Sequence, residues 1–134
     1  FGLLELHSDR MEDLRAAGAA ILDGIGAKAE DQMKPQILYH DIIEDLSDQH
    51  AIILNRSRDA SILVPGQALL IYEMAPALFA CVAANEAEKA APGCIINDVQ
   101  MMGATGQLFI SGKLDDMRLA RDTITARLEA IAGR

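Results

Sequence analysis

The sequence predicts an α/β (α+β) protein, an antiparallel-rich sheet with helices packed on it. Three observations carry that prediction. Short apolar runs bounded by Gly, Pro, Asn and Asp alternate with longer stretches whose apolar residues recur every three or four positions. Between two of the short runs, Cys94-Ile95-Ile96-Asn97-Asp98-Val99 and Gln107-Leu108-Phe109-Ile110, lies Met101-Met102-Gly103-Ala104-Thr105-Gly106, an inter-strand turn with two glycines. A helix with matching residues occurs twice, at a constant offset of 103 positions, each time preceded by a strand.

Taken in order, Phe1–His7 reads as a strand, and Ser8 and Asp9 are placed to cap the helix that follows. That helix spans Met11–Ile25, with Leu14, Ala17, Gly18, Ile21, Leu22 and Ile25 at helical spacing and Gly24 and Gly26 as stop signals. Residues 26–35 are charged, poor in apolar side chains and closed by Pro35, which reads as a linker. Ile37–Asp45 is a strand that turns acidic at its end. Ala51–Leu54 and Ser61–Val64 flank Asn55-Arg56-Ser57-Arg58-Asp59 and predict a hairpin. Pro65-Gly66 is a turn, and Ala68–Met74 is a strong strand. Pro76 suits the first turn of a helix running to Ala91, where Pro92-Gly93 stops it. After the two glycine-joined strands, Asp115 and Asp116 open a last helix, where negative charge suits the N-terminus. Its apolar stripe is Met117, Ala120, Ile124, Leu128 and Ile131.

The repeat is specific. Glu12-Asp13-Leu14-Arg15 corresponds to Asp115-Asp116-Met117-Arg118, Ala17 to Ala120, Ile21 to Ile124 and Ile25 to Leu128. Gly2-Leu3-Leu4-Glu5-Leu6 precedes the first helix as Gly106-Gln107-Leu108-Phe109-Ile110 precedes the second. The expectation is that the 134 residues hold the tail of one unit, 1–35 with its linker, and most of a second, 36–134.

Composition narrows the function. The chain is 51% hydrophobic but only 4% aromatic and has no Trp, so its core is built of Ala, Ile, Leu, Val and Met. A formal charge of −8 argues against nucleic acid and against an anionic membrane surface, both of which require a basic face. No apolar run approaches the roughly 20 residues of a membrane span, and no signal peptide is visible at Phe1. Cys81 and Cys94 are too few for a disulfide framework and are expected as buried free thiols. His7, His40 and His50 lack metal-ligand spacing, and the adjacent acids Glu44/Asp45 and Asp115/Asp116 do not form an acid/base pair facing one substrate. No nucleophile elbow, phosphate loop or dinucleotide fingerprint is present, so no catalytic residue, metal site or cofactor is expected.

The order of strand Ala68–Met74, helix 76–91, strand 94–101, Gly-rich loop, strand 107–112 and helix 115–131 resembles the bacterial microcompartment shell-protein domain, the BMC domain. Ile37–Asp45, lying ahead of these, resembles the family's last strand moved to the front, which is the circularly permuted arrangement. The β-α unit at 1–25 is then similar to the end of a preceding domain in tandem shell proteins, which form trimers shaped like hexagons. The resemblance implies a structural protein, not an enzyme, that tiles with itself as a homotrimer in a pseudohexagonal sheet. Its implied partners are other shell proteins and encapsulated enzymes, in the shell of a microcompartment in a bacterial cytoplasm. It implies no cofactor, no nucleic acid and no membrane.

The resemblance also assigns sites. Met102, Gly103, Ala104, Thr105 and Gly106 stand at the pore loop, with Met101 or Met102 where the family usually has lysine, so backbone amides and the Thr105 hydroxyl would set width and polarity. Phe1 and Gly2 would be the remnant of the first unit's pore loop. Asn85 and Lys89, in Asn85-Glu86-Ala87-Glu88-Lys89, would lie at the tile edge. On the residues alone, the loop is an ordinary turn, Lys89 is a solvated side chain late in a helix, and Arg56 and Arg58 are solvated loop charges. A trimeric small-molecule-binding regulatory module, with the Gly-rich loop holding an anionic ligand, is the alternative reading. A fragment of an enzyme with its active site elsewhere is a third.

Overall fold

The computed structural model describes residues 3–56, 58 and 61–134. They form two compact units, one of residues up to Lys34 together with Ala132–Arg134, the other Pro35–Ile131.

The first unit is built on helix α1, Met11–Gly24. Glu12 and Asp13 lie in its first turn, where they favour the helix dipole, and Arg10 pairs with both at 3.2 and 3.8 Å. Ser8 accepts a hydrogen bond from the Arg10 amide at 3.1 Å, one residue ahead of the helix, so neither Ser8 nor Asp9 is the cap; Arg10 is. The end is a Schellman closure: the Ala27 amide donates to Leu22 O at 2.9 Å and the Gly26 amide to Asp23 O at 3.0 Å, with Gly26 at φ +68°. Of the two glycines in the stop signal, Gly26 is the one the geometry uses. The stripe Leu14, Ala17, Gly18, Ile21 and Leu22 is only half-buried, and no residue of α1 is fully buried. The predicted strand at 1–7 does not form over residues 3–7; Phe1 and Gly2 lie outside the described residues. The linker contains a 3-10 turn at Ala29–Asp31, closed by the Lys28 amide donating to the Asp31 carboxylate at 2.9 Å. Its last residues pair with the chain's end: the Lys34 amide donates to Arg134 O and the Arg134 amide to Gln32 O, each at 3.0 Å.

The second unit is one sheet with unequal covering. Strands β1 (Gln36–Ile43), β2 (Ala68–Ala75), β3 (Ile95–Met102) and β4 (Thr105–Gly112) stand in the order β1-β2-β4-β3, every pairing antiparallel. β1 stops at Ile43, so Glu44 and Asp45 fall in a bend rather than in the strand. One sheet face carries Leu70, Tyr72, Met74, Leu108 and Ile110 and is closed by helices α3 (Phe79–Ala90) and α4 (Leu114–Glu129). The inner residues of α3 are Ala80, Ala83, Ala84 and Ala87, so that helix lies close to its neighbours. α4 presents Met117, Ala120, Ile124 and Leu128, as its spacing predicts. Tyr72 is fully buried, and its hydroxyl is 2.9 Å from Thr125 Oγ1. Since Thr125 donates to Arg121 O at 2.8 Å, Tyr72 is the donor in that pair.

Two further elements differ from the prediction, both in the second unit. The segment expected as a hairpin contains helix α2, Asp48–Asn55, instead. Ser47 caps it, its side chain accepting from the His50 amide at 3.3 Å, and the turn of the helix places Ala51 and Leu54 against Leu46, Leu63 and Leu69 on the second sheet face. Asn55 then replaces a strand partner: its side-chain amide donates to Leu63 O at 2.9 Å and accepts from the Leu63 amide at 2.8 Å. Of the turn between, Ser57 and Asp59 lie outside the described residues. Pro76 is likewise not in the first turn of α3. β2 runs on to Ala75, and the carbonyls of Pro76, Ala77 and Leu78 accept from the amides of Phe79, Ala80 and Cys81 at 3.1 Å each, so the helix begins at Phe79. No helix among the described residues is long and apolar enough to cross a membrane.

Candidate functional site

The glycine joint is the tip of the β3–β4 hairpin. Met102 pairs with Thr105, leaving Gly103 and Ala104 as a two-residue turn. Gly103 has φ +64° and Ala104 does not have positive φ, which is the backbone pattern of a type II′ turn, matched to strand twist. Thr105 Oγ1 donates across the turn to Met102 O at 3.4 Å. Alternation assigns the faces. Gly106 and its partner Met101 share the face of Leu108 and Ile110, whereas Met102 and Thr105 point the other way.

The base of the tip is fixed by contact. Gly106 is buried, and a Cβ there would overlap the Ala77 carbonyl and come within 2.8 Å of Ala80 Cβ. The start of α3 therefore rests on the backbone of β4, and the four residues beyond it, Met102 among them at 57% exposure, project from that mount. The structure thus brings Met102, Gly103, Ala104, Thr105 and Gly106 together on one rigid element. It offers amides, one hydroxyl and one thioether, and no charged side chain.

Asn85 and Lys89 lie four residues apart on α3, both exposed. Both turn to Glu86: Asn85 Nδ2 donates to its carboxylate at 3.2 Å, and Lys89 Nζ lies 3.7 Å from it. Phe1 and Gly2, assigned by resemblance to a first pore loop, lie outside the described residues.

Three groups behave differently from their sequence reading. Arg58 is not a solvated loop charge. Its side chain is 6% exposed, its guanidinium lies 3.4 Å from Asp98 and 5.0 Å from the centre of the Phe109 ring. It thereby fastens the segment after α2 to β3 and β4. Cys81 is exposed rather than buried, while Cys94 is half-buried. Burial pushes the Cys94 thiol up, and Glu88 and Asp116 push it in the same direction, so it remains protonated at neutral pH. Among the described residues, no three His, Cys, Asp or Glu side chains converge as metal ligands. His7 meets Glu5 at 3.1 Å on the surface, and His40 stacks on Tyr72 with ring centres 5.2 Å apart.

An all-antiparallel four-stranded sheet with two helices on one face, a short helix on the other and a glycine hairpin at its tip is the fold that this chain shares with solved bacterial microcompartment shell proteins. No family model matches the chain. It is 37% identical over 136 residues to the carboxysome shell protein CcmP of Synechococcus elongatus, an alignment that covers 100% of this chain and 62% of that protein. Among solved structures, it is similar to the double-ringed trimeric shell protein MSM0271 from the RMM microcompartment, with 58% identity and a TM-score of 0.93 over 96% of this chain and 63% of the other. It is also similar to the fused permuted hexameric shell protein MSM0275 from the same microcompartment, with 38% identity and a TM-score of 0.84 over 91% and 61%. The chain spans about three fifths of the length of these relatives.

Proposed function

We propose that this chain is the greater part of a structural shell subunit that assembles as a trimer and tiles into the wall of a microcompartment, performing no chemistry of its own. The observation that carries the reading is the 58% identity, at a TM-score of 0.93, to a trimeric shell protein. In this reading 36–134 is one near-complete permuted domain. Residues 1–35 are the trailing helix and linker of a preceding one. The half-buried stripe of α1 supports that assignment, because its counterpart on α4 is covered by a sheet and a second helix.

In the trimer the β3–β4 tips converge on the symmetry axis. Their uncharged surface makes a pore that selects by width and backbone dipoles and passes small polar metabolites. Lys89 and Asn85 lie at the edge between tiles, beside other shell proteins, and the enclosed enzymes lie behind the wall. Light scattering on the full-length protein tests the assembly: a three-chain particle, or a multiple of it, is expected, with hexagonal sheets in negative stain at higher concentration. A stable single chain would refute it.

Two variants test the parts. Thr105→Trp is expected to lower metabolite flux through assembled shells several-fold without changing the thermal midpoint; unchanged flux would remove the tip from the pore. Lys89→Ala is expected to leave the trimers intact and to reduce sheet formation, read by the same imaging. Its Glu86 pairing is exposed and contributes under roughly 1 kcal/mol to the fold, so an effect on sheets would be specific to the edge.

A further inference from the structure

The β3–β4 hairpin is held from both faces of the sheet, by different means. On the face of α3 and α4, Gly106 is seated against the start of α3. On the other face the register sets three rows behind one another: Met102 with Thr105 at the tip, then Gln100 with Gln107, then Asp98 with Phe109. Of these six residues only Phe109 packs against the small core under α2. Arg58 marks that row. Its guanidinium lies 5.0 Å from the centre of the Phe109 ring on β4 and 3.4 Å from Asp98 on β3. Asp98 in turn accepts a hydrogen bond from Gln100 Nε2 at 2.6 Å, which carries the contact one row nearer the tip. β3 is irregular at the same place. Its register slips between Ile96 and Asp98, and Asn97, at the slip, donates from Nδ2 to Ile62 O at 3.3 Å. The segment after α2 therefore grips the hairpin where its regular pairing begins.

As a source of stability Arg58 is a poor choice. Its side chain is 6% exposed, its Nη1 faces Asp98 as an ion pair without an aligned hydrogen bond, and its Nε has no acceptor among the described residues. A buried cation so incompletely partnered gives the fold little, and an apolar residue of similar length serves as well or better. What a planar guanidinium adds is direction. It lies over one ring on β4 and beside one carboxylate on β3, and so fixes the two strands relative to each other. We infer that Arg58 is a positioning residue for the pore: it holds the angle at which the hairpin overhang leaves the sheet, and with it the aperture that the tips enclose. The inference rests on the pore reading above. A two-stranded ribbon left to itself twists strongly and is marginally stable. From Asp98 to Met102 the ribbon runs on for four residues, about 13 Å, and Arg58 is the last side chain from the α2 layer to touch it on that face. A pore wall with no charged side chain discriminates chiefly by width, so a wall free to swing passes what a fixed wall excludes.

The test uses the full-length protein and the double variant Arg58→Met/Asp98→Asn, which removes both charges together and leaves neither one unpaired. Its thermal midpoint is expected not to fall. Hydrogen exchange, followed by mass spectrometry, is expected to quicken about tenfold in peptides covering 98–106 and to stay unchanged in those covering 68–75 and 114–129. In assembled shells the ratio of glycerol flux to sucrose flux is expected to drop about threefold, as the larger solute gains passage. Exchange at 98–106 that matches the wild type overturns the brace. So does a quickening shared equally by 68–75 and 114–129, because Arg58 would then support the fold at large. Faster exchange confined to 98–106 with an unchanged flux ratio upholds the brace and refutes the pore reading instead.

Discussion

Gly106→Ala is expected to destabilise the second unit by roughly 3 kcal/mol, lowering its denaturation midpoint well beyond the effect of a surface substitution. The added methyl meets the Ala77 carbonyl and the Ala80 Cβ, and neither is the flexible end of a side chain. To make room, the first turn of α3 must move away from β4, taking with it the contact that mounts the hairpin tip. Gly103→Ala gives a contrast. Nothing lies within 4 Å of a Cβ there, so its cost comes from the φ of +64° alone, about 1 kcal/mol. Chemical denaturation of the two variants separates a packing constraint from a conformational one. Equal losses would contradict the geometry.

The second large effect separates the repeated helices. Ile124 is fully buried among Tyr72, Leu128 and their neighbours, so Ile124→Ala is expected to cost roughly 2–5 kcal/mol. Its sequence counterpart Ile21 is half-buried on a helix with no fully buried residue, so Ile21→Ala in the 134-residue segment is expected to cost about 1 kcal/mol or less. If residues 1–35 close a preceding domain, the same Ile21→Ala in the full-length protein should cost as much as Ile124→Ala. A small loss at Ile21 in both contexts would refute the repeat as a structural one.

Much of the second unit was legible because several local signals agreed. β2, β3, β4 and α4 each combine the right apolar period with turn or capping residues at both ends, and the structure follows them to within a residue or two. α2 reads as a strand from sequence because Ile52-Ile53 is β-branched and the segment spans only two turns, so strand propensity outweighs a weak helical period. The decisive signal was Ser47 with Asp48 behind it, a capping pair ahead of the apolar run. The 1–7 run shows apolar residues at Leu3, Leu4 and Leu6, but a strand needs a hydrogen-bonding neighbour, and residues 3–7 have none among the described residues. The burial of Arg58 was not legible at all, since Asp98 lies 40 positions away and Phe109 further still. At the candidate site, the residue types and the turn were readable. The role of Gly106 was not, because it depends on where α3 begins.

The alanine face of α3 has a consequence for accuracy of assembly. Alanine has no rotamers, so the fully buried face of this helix has no side-chain adjustments with which to absorb a misfit against the sheet and α4. It behaves as a solid spacer. One end is seated on Gly106 at the base of the hairpin, and the other presents Lys89, ten residues and about 15 Å further along. If the hairpin tip lies at the axis and Lys89 at the tile edge, as proposed, the distance between them is a fixed dimension of the fold. Dimensional errors that would add up from copy to copy are suppressed within each one.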